Sequence, residues 1–485
     1  MDQVVSELLG RYVSNTDRNV YTITNLPEEV IAVIFAYVSR SPASFRDNLV
    51  HLLTDQELAQ VAPASEDSVS RRRVERASEQ ARKFHEKWVV GYGHSSVAEH
   101  GVVHIGIERI SRLASAALEL ANPFLSFTEY SQRYQRPARD RFVLPAELDR
   151  WPVQRETLEG LQNLTFDAYE RIEEGLFGHL AETNPPKADE GDDAYRRRIG
   201  RLGFEDARYV LTLAVETNLG MTANGRALRD GLVRLMGDAH LEVKALADAI
   251  EQEAASVLPT LLRHITPPAP RPLPGKQPAG GVLIPAVQLL TFTGDHDPEP
   301  LETALSLLLG GRALSVGRQA SELGMEAYRE SFQAAGDFDL IPEETHQVQY
   351  RFRLQISEAA WHQLLRHVRR ITFVPAPPSV LGGVVVPPTI RQAGLEPLFR
   401  ATVRAAEKAH AEIAKVSPEA AHYAVTNAHR RLIEATVSLG EMAHLLRVRG
   451  ADNAQWEIRD LVTEMAGEVN RVHPGLVAPL LGGAR

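Results

Sequence analysis

The chain carries the same sequence landmarks twice, at a nearly constant distance. Residues 207–210 (ARYV) resemble residues 421–424 (AHYA), which lie 214 positions further on. A second pair of similar segments begins at Arg234 and Arg449, 215 positions apart, and a pair of prolines further on keeps that spacing. Repeated landmarks at one spacing indicate an internal duplication, so we expect two similar halves.

A proline-rich stretch separates the two halves. Residues 266–281 read TPPAPRPLPGKQPAGG, and each proline removes a backbone donor and fixes φ, so no regular element is expected there. We interpret this stretch as a stiff linker. The predicted domains are a first half at 1–266, a linker at 267–282 and a second half at 283–485.

The hydrophobic pattern predicts helices and strands in each half. Apolar residues recur at helical spacing over 241–262 and 456–472, and 27–39 is expected to begin a helix at its proline. Residues 101–108 are rich in β-branched side chains, and residues 349–356 alternate polar with apolar side chains, so both are predicted strands. The predicted fold class is α+β, with two helix-rich halves that each hold a small sheet flanked by helices.

Composition limits the kinds of site that the chain can build. Its 485 residues include no cysteine, which excludes disulfides, zinc–cysteine sites, iron–sulfur clusters and a cysteine nucleophile. The net charge of −10 argues against a dedicated nucleic-acid-binding protein. The N-terminus lacks a signal-peptide pattern and no apolar run reaches the length of a membrane span, so we expect a cytoplasmic protein without a membrane partner.

Residues 128–134 (TEYSQRY) concentrate groups that suit a nucleotide. If this segment is extended, Glu129, Ser131 and Arg133 share one face, because alternate residues of a strand point the same way. A carboxylate, a hydroxyl and a bidentate guanidinium together suit a phosphorylated, hydrogen-bond-rich small molecule. An exposed polar strand end is the alternative interpretation.

A histidine-containing turn precedes the first predicted strand. It places His94, Glu99 and His100 after two glycines, where a serine is expected to cap a short helix. The spacing does not match the HExxH zinc pattern, so no metal site is predicted. A capped turn and a ligand-binding turn remain the two interpretations.

A basic helical segment follows the second predicted strand. Leu364 and Leu365 are expected to point inward, and Arg366, Arg369 and Arg370 then form a cationic patch around one helical turn. This patch is interpreted either as a solvated helix face or as a phosphate site.

Together these segments resemble the flavin-dependent thymidylate synthases, and the chain is similar to two such subunits fused in tandem. In that family a His-turn-Glu-His segment precedes a strand, an Arg-His-Arg triplet follows, and a Glu-x-Ser-x-Arg-Tyr segment comes next. Later helices carry Ala-Arg-x-Val, then Leu-Arg followed by Ala-Gln-x-Glu-Ile. The matching residues of the first half are His94, Glu99, His100, Glu129, Ser131, Arg133, Tyr134, Arg208 and Arg234. Those of the second half are Arg366, His367, Arg449 and the segment 454–459.

The resemblance implies an activity and a set of binding residues. The family methylates dUMP reductively to dTMP, taking the methylene from methylenetetrahydrofolate and the hydride from NADPH through FAD. The implied nucleotide-binding residues are Glu129, Ser131, Arg133, Arg208, Arg234, Arg366 and Arg449. The implied cofactor-binding residues are His94, His100, Arg366, His367 and Arg369. No catalytic residue is assigned, and the lack of cysteine agrees with a flavin route.

Neither half keeps the complete family pattern. The first half has no Arg-His-Arg triplet near residues 121–123, and the second half has residues 373–378 in place of the Glu-x-Ser-x-Arg segment. Because the two losses are complementary, we expect one composite site per chain, with residues from both halves. A homodimer of this chain is then expected to mimic the family tetramer.

Two other functions remain open from the sequence. One is a non-catalytic relative that binds a nucleotide or a flavin, and the other is an enzyme of the same fold that acts on another nucleotide. Arginine runs at 71–73 and 196–198 are interpreted as solvated helix faces, so a nucleic-acid partner is not expected.

Overall fold

The computed structural model describes residues 9–16, 23, 25–28, 30–32, 46–47, 49–50, 79, 81–83, 95–133, 135–262, 265–267, 284–294, 343–474 and 476. His94, Tyr134, residues 71–73, the linker from 268 onward and most of the predicted helix at 27–39 lie outside these residues. The predicted domain boundaries on either side of the linker therefore stay predictions.

The described part of the first half combines one sheet with several helices. Its strands are β1 (Val102–Ser111), β2 (Ser126–Glu129) and β3 (Glu216–Asn224). Its helices are α1 (Arg112–Glu119), α2 (Pro152–Thr183), α3 (Asp192–Ala207), α4 (Gly225–Met236) and α5 (Leu241–Ala255). The sheet order is β1-β3-β2, and β2 runs antiparallel to β3 with Ser126 opposite Thr222.

The described part of the second half repeats this plan. Its strands are β4 (Val287–Phe292), β5 (Gln349–Ser357), β6 (Thr372–Pro375) and β7 (Arg430–Ser438). Its helices are α6 (Glu358–Leu364), α7 (Pro388–Gln392), α8 (Glu396–Ala414), α9 (Pro418–Ala421), α10 (Leu439–Arg449) and α11 (Trp456–Val472). The sheet order is β4-β5-β7-β6, and all its pairings are antiparallel.

The two halves share topology, which confirms the α+β prediction. Strands β5, β7 and β6 stand in the order in which β1, β3 and β2 stand, and β4 adds an outer strand. A 3-10 helix at Arg208–Val210 in the first half has its counterpart at His422–Ala424 in the second. The predicted strands at 101–108 and 349–356 are both present as β1 and β5.

One predicted helix is shorter than its hydrophobic pattern suggested. Helix α5 ends at Ala255 instead of continuing to residue 262, although Leu258, Leu261 and Leu262 are buried. The cause is Pro259, because a proline lacks the backbone donor and disfavours helical geometry at the residue before it.

The chain forms two compact units that do not follow the halves. The first unit contains residues 1–110, 117–130 and 217–272, and the second contains residues 111–116, 131–216 and 273–485. A large part of the first half, including α2 and α3, therefore belongs to the same unit as the whole second half. Every contact of the candidate site described for this chain lies within the second unit.

A short backbone bridge joins equivalent positions of the two halves in the second unit. Thr212 and Thr426 form an antiparallel bridge. The Leu213 amide donates to the Val425 carbonyl, and the Asn427 amide donates to the Leu211 carbonyl, both at 2.8 Å. Since these segments follow the two 3-10 helices directly, the bridge fixes the position of Arg208.

A hydrophobic cluster packs against the segment that leads into this bridge. Its members come from α2, α3, α8 and the 3-10 helix of the first half, and include Phe166, Ile172, Leu176, Ile199, Phe204, Tyr209, Phe399 and Val403. Burying such side chains contributes roughly 1.5–3 kcal/mol each. The segment that carries Arg208 is thus anchored by packing from both halves.

Within the described residues, no helix combines the length and the apolar character needed to cross a membrane.

Candidate functional site

Arg208 is a buried cation at the junction between α3 and the first 3-10 helix. Its residue is 6% exposed, because the neighbouring Tyr209 is fully buried and holds the segment in the core. Among the described residues, its Nε and Nη2 atoms have no hydrogen-bond partner. Burial lowers the pKa of Arg208, while the nearby Glu205 carboxylate opposes that shift. A buried guanidinium with unpartnered donors is suited to an anionic ligand.

Arg133 lies beside Arg208 and does not have the predicted extended geometry. Strand β2 ends at Glu129, and the Ser131 hydroxyl accepts a hydrogen bond from the Arg133 amide at 3.3 Å within a turn. The prediction that Glu129, Ser131 and Arg133 share one strand face is therefore wrong. The physical reason is that a serine hydroxyl competes for local backbone donors and favours turns.

The Arg133 side chain connects the two halves of the chain. Its Nε donates to the Glu205 carboxylate of α3, and its Nη2 donates to the Asn453 carbonyl at 3.4 Å. Asn453 lies in the loop between α10 and α11, four residues after Arg449. The turn into this loop requires Gly450, because a Cβ there would lie 2.5 Å from the Leu446 carbonyl oxygen.

Helix α6 and the 3-10 helix after it bring basic residues of the second half to the same unit. Ser357 caps α6 by accepting from the Ala360 amide at 3.0 Å. Leu364 and Leu365 are fully buried, as predicted, and this orients Arg366 at a half-buried position. Arg369 is exposed on the turn that follows.

His362 is a buried imidazole on the same helix. Burial is the main cause that lowers its pKa well below the usual range, followed by the electrostatic effects of Arg112, Arg366, Arg431 and Arg208. Arg208 of the first half and Arg366 of the second half therefore both lower the pKa of one side chain. His362 thus marks the place where the basic residues of both halves converge.

His367 is held between two charged groups. Its Nε2 accepts from Arg449 Nε at 3.1 Å, and its Nδ1 lies 3.3 Å from a carboxylate oxygen of the buried Glu441. Burial lowers the pKa of His367, and Glu441 raises it. A neutral ring with its proton on Nδ1 satisfies both contacts.

The same histidine belongs to a cluster with the potential to bind a metal ion. Within the part of the chain that the structure describes, the ligand atoms of His367, Glu441 and His444 all lie within 4.8 Å of one another. Arg449 already occupies one nitrogen of His367, and Arg370 lies 3.9 Å from Glu441. These two cations disfavour a divalent cation, so we interpret the cluster as an arginine-histidine-glutamate relay.

The start of α11 fastens the Arg208 segment to the second half. Gln455 caps α11 by accepting from the Ile458 amide at 3.2 Å, and its amide donates to Tyr209 Oη at 2.9 Å. Glu457 accepts from Tyr209 Oη at 2.5 Å and from Ser357 Oγ at 2.6 Å. Burial raises the pKa of Glu457. The Ala-Gln-x-Glu-Ile match in the sequence is therefore a joint between the two halves.

Asp206 completes this joint. It accepts from Trp456 Nε1 at 2.9 Å and from Thr389 Oγ1 at 2.5 Å, and the Trp456 ring stacks on Tyr209 at 6.1 Å. Burial raises the pKa of Asp206 to about 6, and the two hydrogen bonds oppose this shift. Asp206 is thus a buried carboxyl group that titrates near neutral pH, two residues from Arg208.

The second unit contains seven of the predicted site residues. They are Ser131, Arg133, Arg208, Arg366, His367, Arg369 and Arg449. The other described candidates lie in the first unit: Glu129 at the end of β2, Arg234 exposed in the last turn of α4, and His100 exposed after a 3-10 helix. Glu99 forms an ion pair with Arg226 in that unit at 2.5 Å.

Several groups around this site were not singled out from the sequence. Glu205, Asp206 and Glu441 are acidic residues next to apolar helical positions, and their pattern does not distinguish a buried acid from an exposed one. His362 had a usable signal, since it stands four residues before Arg366 on a predicted helix and therefore on the same face.

Comparison with known proteins shows the family of the chain. The family described as "Thymidylate synthase complementing protein" matches residues 48–260 and 344–475, which together exceed half of the chain. A UPF0159 protein of Thermoplasma acidophilum is 25% identical over 84% of this chain and 90% of its own length. A UPF0159 protein of Chlamydia muridarum is 23% identical over 96% of this chain and 92% of its own length.

A flavin-dependent thymidylate synthase of Geobacter sulfurreducens is 31% identical over 40% of this chain and 72% of its own length. The relatives that carry this name thus correspond to part of the chain, whereas the UPF0159 proteins extend over most of it. With two matched regions, one in each half, the chain belongs to the thymidylate synthase complementing protein family.

Proposed function

We propose that this chain binds dUMP, or a close nucleotide, at one composite site and methylates it reductively to dTMP. The observation that carries the proposal is Arg208, whose Nε and Nη2 are buried without a partner among the described residues. A nucleotide phosphate satisfies such donors with charge-assisted hydrogen bonds. A composite site is supported by the contact between the halves in which Arg133 donates to the Asn453 carbonyl.

The neighbours of Arg208 support a phosphate at this place. Arg133 is close enough to Arg208 to lower its pKa, so two guanidinium groups lie near each other. The Glu205 carboxylate forms an ion pair with Arg133. Arg366 acts on the same buried histidine as Arg208. Arg449 donates from Nε to His367 Nε2 at 3.1 Å, which orients a second cation of the second half.

The cofactor side of the proposal rests on fewer groups. FAD, when bound, supplies hydride transfer from NADPH to the methylene group that methylenetetrahydrofolate donates. The half-buried Arg366 and the exposed Arg369 suit the pyrophosphate of such a cofactor. Arg449 and Glu441 already contact both ring nitrogens of His367. His367 can therefore contact a flavin only with a face of its imidazole ring.

That occupancy of His367 favours a second candidate function. If the relay with Arg449 and Glu441 persists, the chain binds a nucleotide without holding a flavin in a productive position. It is then a non-catalytic nucleotide-binding member of the family. An enzyme of the same fold that acts on another nucleotide is the remaining alternative.

The first experiment separates these candidates. The purified protein is mixed with FAD, gel-filtered, and its absorption spectrum recorded with and without dUMP; dTMP formation is then assayed with methylenetetrahydrofolate and NADPH. A retained flavin band that shifts with dUMP, together with dTMP, supports the synthase. Calorimetric dUMP binding without retained flavin supports the non-catalytic binder, and no binding of either ligand refutes both.

If the site is composite, substitutions in either half weaken binding of the same nucleotide. Arg133→Ala and Arg366→Ala are each expected to lower dUMP affinity about 10- to 100-fold, since each removes a charge-assisted hydrogen bond. Arg196→Ala, at an exposed position of α3, is the matched control and is expected to change nothing. Unchanged dUMP affinity in Arg366→Ala contradicts a site shared by the two halves.

The remaining expectations stay predictions. They are nucleotide contacts by Glu129, Ser131 and Arg234, cofactor contacts by His94 and His100, a homodimer in place of the family tetramer, and a cytoplasmic location.

A further inference from the structure

His362 is a buried polar residue next to the proposed nucleotide site, and the family motifs matched above do not include it. We propose that His362 is a further ligand of the nucleotide phosphate and donates a hydrogen bond to it from Nε2. This proposal rests on the proposed nucleotide site and adds to it a residue and a contact.

The His362 ring is buried near arginines of both halves. Its residue is 6% exposed, and within the described chain its Nε2 has no hydrogen-bond partner. Buried polar atoms are nearly always satisfied, so an unpartnered ring nitrogen calls for a ligand or a water molecule. Arg208, equally buried, leaves two donors unpartnered in the same way. Arg208 is also close enough to His362 to lower its pKa, so these two unpartnered groups come from different halves and lie near each other.

Helix geometry directs His362 toward the basic residues. His362 lies in the last turn of α6, and Arg366 lies four residues later in the 3-10 helix that continues it, so the two side chains lie on neighbouring parts of one helical surface. Gln363, the next residue, is also buried, and its amide donates to the Ala359 carbonyl at 3.1 Å. The segment has therefore little freedom to turn His362 elsewhere.

The charges that face His362 decide its chemical form. Four arginines act on it, Arg112, Arg366, Arg431 and Arg208, and one of them, Arg431, pairs with Glu358 at 3.4 Å. Burial and these cations lower the pKa of His362, so the ring is neutral at neutral pH. A neutral imidazole with its proton on Nε2 is a donor that adds no further positive charge beside the arginines.

The first half lacks this group. His362 stands five residues after Ser357 at the end of β5, and the residue five positions after Ser111 at the end of β1 is Ala116. Of these two equivalent positions in the described chain, only the one in the second half carries the donor, as expected for one composite site.

The test compares dUMP with deoxyuridine, which lacks the phosphate, by calorimetry on the full chain. His362→Met and His362→Asn remove the Nε2 donor, whereas His362→Gln keeps an amide donor near that position. We expect the first two to lower dUMP affinity about 10- to 100-fold and to leave deoxyuridine affinity unchanged. His362→Gln is expected to retain most of the dUMP affinity.

A matched control is His410→Met, which replaces another histidine whose pKa is lowered by burial, on α8 beside His429. It is expected to leave both affinities unchanged. Equal losses for dUMP and deoxyuridine in the Met and Asn variants, or no loss for either, overturn the phosphate contact while the nucleotide site stands. If the parent protein binds no dUMP, the proposed function itself fails. His362→Asn keeps a polar side chain, so it remains informative if His362→Met does not fold.

Discussion

Replacing Arg208 by methionine should stabilise the ligand-free protein and weaken nucleotide binding at the same time. Arg208 is 6% exposed and leaves Nε and Nη2 without a partner among the described residues. Removing a buried charge for an apolar side chain of similar size is stabilising when no opposite charge is left unpaired, and Glu205 keeps its ion pair with Arg133 in this variant, so we expect a gain of about 1–4 kcal/mol. If Arg208 served only to pack the core, Arg208→Met would not make the ligand-free protein more stable.

Arg208→Met has the opposite effect on the nucleotide complex, because it weakens dUMP binding. Loss of charge-assisted hydrogen bonds to a phosphate costs about 1.5–3 kcal/mol, which corresponds to roughly a 10- to 150-fold weaker Kd. At a dUMP concentration about 1,000 times the parent Kd, the ligand stabilises the parent by about 4 kcal/mol. For a variant with 100-fold weaker binding, the same concentration stabilises by only about 1.4 kcal/mol.

Thermal unfolding with and without dUMP measures both terms in one assay. Arg208→Met should unfold at a higher temperature than the parent without ligand, and dUMP should raise that temperature less. Arg197→Met, an exposed position on the same helix, serves as the control and should alter neither value. A ligand-free variant that unfolds earlier than the parent, with an undiminished response to dUMP, refutes the assignment of Arg208 to an anion site.

Two further predictions concern the joint between the halves. Burial raises the pKa of Asp206 from 3.8 to about 6, so the protonated carboxyl group stabilises the fold fully below about pH 4, and this contribution is lost as the pH rises through 6. Asp206→Asn should therefore equal the parent in stability at pH 4 and exceed it by up to about 3 kcal/mol at pH 8. A difference that stays constant between these pH values contradicts the titration. Glu457→Ala leaves the hydroxyl groups of Tyr209 and Ser357 without their acceptor and should cost about 2–4 kcal/mol in denaturant unfolding. Asp460→Ala, exposed on the same helix, should cost under about 0.5 kcal/mol, and equal effects of the two variants argue against the joint.

Local patterns predicted the elements well where their signals were local. The strand at 349–356, the helix at 456–472 and the inward position of Leu364 and Leu365 each follow from side-chain periodicity within one segment. The prediction of a helix to residue 262 was wrong because Pro259 ends the helix despite the apolar pattern. The prediction that Glu129, Ser131 and Arg133 share a strand face was wrong because a hydrogen bond to the Ser131 hydroxyl closes a turn.

The sequence alone determined that this chain is duplicated, since equal spacing of landmarks requires no knowledge of contacts. It also determined which residue types are available for an anion site, and that no cysteine takes part. Tertiary structure decided which half supplies each group. Arg133 reaches Asn453, and Tyr209 reaches Glu457, through contacts between residues hundreds of positions apart. Burial of Arg208, Asp206 and His362 arises from packing of both halves around one place, and burial is what changes the chemistry of these side chains.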